Sequence, residues 1–322
     1  MIEISRRDLI LGAATSAAVF GLPGHLAFIG AAEARPLPEA GKGFHSLKVG
    51  NAELITLYDG IWRKKHDEKF IKGATVDETK AALRKAGLVD EYVPITFTVP
   101  VVKIGGKTIM FDAGTGAQLA PTAGLLAANM KAAGIDPAKI DMIVVTHFHP
   151  DHIFGLMAKG TNAQIYPNAE IVVPAAEYAW WTDEGNTSKL PKGRQGLAKR
   201  IQATFPKWKN VRRLDAGKDI VPGLKLVSAH GHTPGHSAVQ IDAGGKSMMI
   251  LADTSNIPAL FVAHPGWAAA FDMNAAQAEA TRRKLFDQAV ADKSILTGYH
   301  FGFPASGTIQ KDGKGYAFVP AA

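Results

Sequence analysis

The chain has 322 residues, 47% of them hydrophobic, with a formal net charge of +7 and no cysteine. That length and apolar content allow a sizeable buried core. The lack of thiols excludes disulfides, thiolate nucleophiles and cysteine–zinc ribbons, and leaves nothing to mispair in an oxidising compartment.

Ser5-Arg6-Arg7-Asp8-Leu9-Ile10 opens an apolar run from Leu9 to Ala32, broken by Pro23 and His25. Ala32-Glu33-Ala34 has the small-x-small pattern of a cleavage site. This layout predicts a signal peptide over residues 1–34, and the paired arginines point to the twin-arginine route. The run is long enough to span a bilayer, but its Ala/Gly-rich composition and its proline favour cleavage over anchoring. The expected location is the periplasm or the exterior, with no stable membrane insertion after cleavage. No Pro-, Gly- or Ser-rich linker divides the rest of the chain, so residues 35–322 read as a single domain.

Past the signal, Leu47 to Leu57 alternates as a strand does, with Tyr58-Asp59-Gly60 expected to end it. Val76 to Ala86 reads as a helix stopped by Gly87. Ile95 to Ile104 and Thr108 to Phe111 read as strands of a hairpin turned by Gly105-Gly106. Ala123 to Ala133 reads as a helix. Ile140 to Val145 is a short, nearly all-apolar strand of the kind buried on both faces. Ile171 to Val173 is a strand, and Ala175 to Trp181 and Gln195 to Thr204 are helices. Leu224 to Ser228, Ala238 to Asp242 and Ser247 to Leu251 are three further strands. Ala275 to Val290 is a long helix and Ile295 to Thr297 a closing strand. Strands mixed with helices in both halves predict an α/β chain of two packed sheets with helices outside.

Lys189 to Arg213 holds nine basic residues and no acidic one. Such a stretch could bind nucleic acid; a solvated helix and loop is the simpler reading, and no nucleic-acid partner is expected.

His147-Phe148-His149-Pro150-Asp151-His152 carries the most chemistry. Three imidazoles and a carboxylate directly follow an apolar strand, and nitrogen and oxygen donors suit zinc and similar divalent ions. His147 and His149, two apart in an extended loop, can face one ion; Asp151 and His152, one turn on, can face a second. Gly231-His232-Thr233-Pro234-Gly235-His236, Asp253 and His300 each come after a strand end as well. Asp253 can offer one oxygen to each of two cations, and His232 and His300 can complete one ion apiece.

The H-x-H-x-D-H motif, the G-H-T-P-G-H segment, the lone aspartate after a strand and the late histidine resemble the metallo-β-lactamase superfamily. Within it the chain looks closest to the methyl parathion hydrolase and dihydrocoumarin lactonase branch. The likeness covers roughly Phe44 to Pro320 and includes Leu126 to Gly134, Val221-Pro222-Gly223 and Gly315 to Pro320. It implies an αββα sandwich, two mixed sheets packed together with flanking helices. It also implies two divalent metal ions per chain, zinc by default, with manganese or cobalt able to use the same ligands. His147, His149 and His232 would hold one ion and Asp151, His152 and His300 the other, with Asp253 bridging as the catalytic carboxylate. His236 would back the ligands; His230, His45, His66 and His264 would pack or face solvent. Two departures stand out: Ile153-Phe154-Gly155 where relatives commonly carry glycines, and Gly302 where close relatives tend to have proline.

Two cations about 3.5–4 Å apart can lower the pKa of a shared water, so that a metal-bridging hydroxide attacks a carbonyl or phosphoryl centre. The resemblance therefore implies a hydrolase of lactones or aryl esters, with phosphotriesterase (organophosphate) activity as a secondary expectation. An acyl-homoserine lactonase is the runner-up, ahead of a glutathione thioesterase or a nuclease. Leu119, Trp180, Trp181, Phe261 and Phe271 are the candidate substrate pocket. An apolar wall of that kind implies a small uncharged substrate. The assembly is left open between a monomer and a homodimer.

Overall fold

Alternate residues of a strand face opposite ways, and here that alternation sorts the apolar side chains into three layers. The computed structural model describes residues 42–321; the predicted signal segment, 1–34, lies outside the described residues. One seven-stranded sheet runs in the order Phe44–Val49, Ala52–Lys64, Val93–Ile104, Lys107–Phe111, Met142–Val144, Glu170–Pro174, Val211–Leu214. Its first four strands pair antiparallel and its last four parallel. The other seven-stranded sheet runs Gly315–Pro320, Ser306–Asp312, Ile295–Thr297, Ser247–Ile250, Ser237–Asp242, Leu224–Ser228, Asp219–Val221.

Between the sheets, Val102, Phe111, Met142, Val144 and Val172 meet Leu226, Val239, Ile241, Met248 and Ile250. One residue along the same strands, Val101, Met110, Ile143 and Val173 face the other way. They pack with Leu197, Ile201 and Phe205 at the helix Lys192–Thr204. Outside the second sheet, Met249, Leu251 and Leu296 pack on Leu285, Phe286 and Ala289 of the helix Ala275–Ala291. The architecture is the αββα sandwich that the sequence implied. Central strands such as Met142–Val144 are apolar throughout because both of their faces are covered.

Local signals set the helix starts. Thr75 and Glu78 form a capping box ahead of the helix Val76–Lys85, and Asn274 accepts from the Gln277 amide at the start of Ala275–Ala291. Both satisfy amides that lack a partner in the first turn.

Several boundaries differ from the sequence reading. The helix read from Gln195 starts at Lys192, and the strand Ile295–Thr297 read as closing is followed by Ser306–Asp312 and Gly315–Pro320. Three further differences bear on the loops. The single strand expected over Leu47–Leu57 is a hairpin, Phe44–Val49 with Ala52–Lys64, turned at Gly50, whose φ is +56°. Tyr58-Asp59-Gly60 does not end that strand. The register shifts there, and the strand continues to Lys64. Gly60 has φ +128°, and a Cβ on it would lie 2.3 Å from the Thr122 carbonyl oxygen, so only glycine fits. The helix expected over Ala123–Ala133 is Leu126–Ala132. Its leading residues instead close a loop on Asp59: the Gly124 and Leu125 amides donate to the Asp59 carbonyl, and the Leu126 amide donates to its carboxylate. Among the described residues, no helix is long and apolar enough to cross a membrane.

Phe286 is fully buried between its helix and the second sheet. Phe286→Ala is expected to destabilise the protein by about 3–5 kcal/mol, read as a lower urea midpoint at unchanged slope. A loss below about 1 kcal/mol would contradict this packing.

Candidate metal centre

The residues singled out for metal binding converge at one rim of the sandwich, where strands end. His147 and His149 follow Met142–Val144, and Asp151 and His152 lie on the single helical turn Pro150–Ile153. His232 follows Leu224–Ser228, Asp253 follows Ser247–Ile250, and His300 follows Ile295–Thr297. All seven are buried. Their donor atoms form three overlapping groups, each within 4.8 Å: His147, His149 and His232; His147, His152 and Asp253; and Asp151, His152 and His300.

Asp253 joins the groups. Its Oδ2 lies 3.2 Å from His232 Nε2 and 3.2 Å from His300 Nε2, while its Oδ1 lies 3.3 Å from His152 Nε2. Asp151 Oδ2 is 3.4 Å from both His152 Nε2 and His300 Nε2. A tetrahedral shell with bonds of about 2.0–2.1 Å has edges of roughly 3.3–3.4 Å, so these separations match neighbouring ligands of a common ion. His149 Nδ1 and His232 Nε2 are closer, at 2.8 Å.

Three of the rings are anchored on their far side. His152 Nδ1 donates to Asp112 (2.7 Å), His232 Nδ1 to Asp272 (2.8 Å) and His300 Nδ1 to the Thr96 carbonyl (2.7 Å). With its N–H spent there, each neutral ring turns an Nε2 lone pair towards a carboxylate. A lone pair facing an oxygen needs a proton or a cation between them. Among the described residues, His147 Nε2, His152 Nε2 and Asp253 Oδ1 are buried with no hydrogen-bond partner. The donor set therefore fits divalent cations, and its outer partners are of the kind that orient metal-binding histidines.

The electrostatics run the same way. Burial would lower the pKa of His152, but the carboxylates of Asp151, Asp112 and Asp253 raise it well above the ordinary value. For His232, burial is likewise outweighed by Asp253 and Asp272, and its pKa rises to about 9. Burial would raise Asp253, but His300, His152 and His232 hold it well below the usual carboxylate range. The pocket is thus built to keep a carboxylate charged and to place positive charge around it. His236 sits outside the set: its Nδ1 donates to the Ala229 carbonyl and its Nε2 accepts from the Asp253 amide.

Four supporting groups were not singled out in the sequence. Asp112 also accepts from the Thr146 amide and hydroxyl, and that hydroxyl lies 3.1 Å from His147 Nδ1. One carboxylate thereby braces His152 directly and His147 through Thr146. Asp272 receives a second contact from the buried Arg282, whose guanidinium also donates to the Thr254, Pro265 and Trp267 carbonyls. Glu177 is fully buried and accepts from the Phe148 amide, Trp181 Nε1, the Thr233 hydroxyl and the Gly235 amide, tying the two histidine loops together. Burial raises its pKa. The available signal was Asp112: it directly follows a predicted strand, as the ligands do.

A narrow cleft, part of it open to solvent, reaches the centre. It is lined by Trp62, Ile95, Phe97, Pro150, Arg194, Leu197 and Phe271 together with His149, Asp151, Asp253 and His300. Of the five candidate pocket residues, only Phe271 lines it. Leu119 is buried in the core, and Trp181 is buried with its indole N–H held by Glu177. Trp180 packs on Trp181 and the same core, and Phe261 is buried beneath Arg282. All four lie near the histidine loops in space or sequence, but their packing turns them inward. The wall is not wholly apolar either: Arg194 adds a cation, so the cleft does not require an uncharged substrate.

The basic stretch divides between internal contacts and the exposed Lys192, Lys199, Lys207 and Lys209. Lys189 donates to Asn186, Arg200 to Asn162 and Gln118, and Arg212 to Glu170, while Arg213 lies over Tyr178.

The sequence profile of the metallo-beta-lactamase superfamily matches residues 98–300, the span holding all seven converging residues. A curated N-acyl homoserine lactonase from Bacillus sp is 26% identical over 122 residues, 38% of this chain and 41% of the relative. The match thus spans about two fifths of that relative's length. The solved structure of AidC, a dizinc quorum-quenching lactonase bound to a product, superposes with a TM-score of 0.77 at 26% identity, over 87% of this chain and 98% of AidC. AbOPH, a hydrolase in the beta lactamase superfamily, gives a TM-score of 0.80 at 26% identity with the same coverage.

Asp112→Asn keeps the size of the side chain but removes an acceptor from His152 or Thr146. It is expected to weaken zinc binding by roughly ten- to a hundredfold, measured by competition with a chromogenic chelator. Unchanged zinc affinity in the folded variant would show that Asp112 does not hold the ligands.

Proposed function

Because the chain belongs to the metallo-beta-lactamase superfamily, we propose that it is a metal-dependent hydrolase with a dinuclear centre that opens lactones or aryl esters. The observation that carries this is the Asp253 carboxylate, whose Oδ2 lies 3.2 Å from both His232 and His300 Nε2 and whose Oδ1 lies 3.3 Å from His152 Nε2, so that one side chain touches histidines of both proposed ligand sets. We assign His147, His149 and His232 to one ion and Asp151, His152 and His300 to the second, with Asp253 shared; zinc is the default metal. When bound, such a pair of cations supplies an activated water and a Lewis acid for the reacting carbonyl.

The chain's own groups do the rest. Asp112, Asp272 and the Thr96 carbonyl fix three imidazoles in one tautomer and one orientation. Trp62, Phe97 and Phe271 line the cleft and offer flat apolar surface to an aromatic or acyl group. The Tyr299 hydroxyl is committed to the Asp151 carbonyl at 2.7 Å, and burial pushes its pKa well above the ordinary value. It therefore holds the Asp151 backbone and offers no proton to a leaving group. The remaining titratable group of the cleft wall outside the proposed ligands is Arg194, a poor proton donor. A site without a dedicated acid favours leaving groups that need none, such as phenoxides. That is the reason for placing aryl lactones and aryl esters first, with aryl phosphotriesters as bulkier, slower substrates.

A second reading is acyl-homoserine lactone hydrolysis. It is favoured by the Bacillus sp relative and by the likeness to AidC. The two readings separate on one metal-loaded preparation. We expect kcat/KM to be highest for dihydrocoumarin, lower for N-hexanoyl homoserine lactone and lower again for a methyl phosphotriester. Asp253→Ala should cut all three by at least about a hundredfold, the scale of metal-centred chemistry. Hexanoyl homoserine lactone ahead of every aryl substrate would favour the second reading. RNA or a glutathione thioester ahead of every lactone and ester would contradict both.

A further inference from the structure

Arg194 stands in the first turn of the helix Lys192–Thr204 and lines the same cleft as His149, Asp151, Asp253 and His300. Its two hydrogen bonds, to the Phe271 and Ala270 carbonyls, are both 3.5 Å long, at the outer limit for such bonds. The guanidinium otherwise lies 5.8 Å from the Phe271 ring centre. It carries five N–H donors in a planar fork, and those two long contacts leave most of them unsatisfied by protein. Among the described residues no carboxylate lies within ion-pair distance of it. Asp272 is close enough to act on its charge, but its oxygens are already taken by His232 and Arg282. Asp151 and Asp253 face the histidines instead. Burial pulls the arginine's pKa below its ordinary value, so its charge is held at a cost. The position adds to that cost, because the first turn of a helix already carries a partial positive charge.

A half-buried, poorly satisfied cation beside a reaction centre fits an anion that arrives with the ligand. We propose that Arg194 recognises an anionic group on the substrate. The natural substrate is then an ester or lactone that carries a carboxylate or similar acid away from its reacting carbonyl. The rest of the cleft lining, with Trp62, Ile95, Phe97, Leu197 and Phe271, takes the apolar body between the two ends. The proposal rests on the hydrolase reading for the reacting end only; anion recognition by Arg194 can be measured without turnover.

Two measurements on the metal-loaded protein separate the two claims. In the first, dihydrocoumarin is compared with its ring-carboxylate derivative. Wild-type protein should favour the carboxylate, and Arg194→Met should lower its kcat/KM by about ten- to a hundredfold, mainly through KM, the span expected for one charge-assisted contact. Dihydrocoumarin itself should change less than about threefold. In the second, calorimetry compares toluenesulfonate with methyl tolyl sulfone, its neutral counterpart. Wild type should bind the sulfonate at least about tenfold more tightly, and Arg194→Met should abolish that preference. Equal losses on charged and neutral ligands would make Arg194 a packing residue and overturn the proposal. A sulfonate preference that survives in Arg194→Met would assign anion binding to the metals and overturn it too. If neither lactone turns over but the sulfonate preference depends on Arg194, the hydrolase reading fails and anion recognition stands.

Discussion

The site depends on one unfavourable encounter. His152, His232 and His300 each spend the Nδ1 proton on an oxygen behind them and, when neutral, turn an Nε2 lone pair towards the Asp253 carboxylate. Lone pairs and a buried carboxylate repel in a low-dielectric setting unless positive charge lies between them. Two divalent cations satisfy that demand with the fewest groups, since one carboxylate can serve both and six other donors divide evenly. The backbone carries part of the load: Ala252, just before Asp253, and Asp112 both sit in the left-handed region, with φ of +47° and +63°. Such conformations cost free energy in non-glycine residues and persist where surrounding structure enforces them.

The sandwich makes the encounter possible. Strands buried on both faces need no polar side chains along their length, so polar groups collect where the strands stop. Ligands from strand ends of both sheets then meet at one rim, held by a core whose alternation leaves little freedom of register. The supports obey the same logic from outside: Glu177, on the helix Ala175–Thr182, bonds amides or hydroxyls of both histidine loops at once. A shift of either loop would leave a buried carboxylate unpaired, which is costly.

The ligands were legible because four of them are local in sequence and the others come after apolar strands that period and composition reveal. Their supports were not, because Asp112 and Asp272 each meet their histidine across 40 residues. Nothing in the chain near those aspartates specifies the partner. The architecture was legible from alternation; the bulge at Gly60 was not, since a glycine after Tyr-Asp also suits a turn. The cleft wall was the least readable part. Trp181 looked like a substrate platform by position, but its indole N–H satisfies Glu177 and its ring is buried. Trp62 and Phe97 come from long strands far from the motif. Arg194 was hidden within a basic stretch whose other cations are divided between internal contacts and exposed lysines.

A two-cation centre around Asp253 can be observed directly by anomalous diffraction at the zinc edge from crystals of zinc-loaded protein. The map should show two peaks about 3.5–4 Å apart, one among His147, His149 and His232 and the other among Asp151, His152 and His300, with an oxygen of Asp253 reaching each. A single peak, or two that leave Asp253 bound to neither or to only one, would contradict the shared-carboxylate centre.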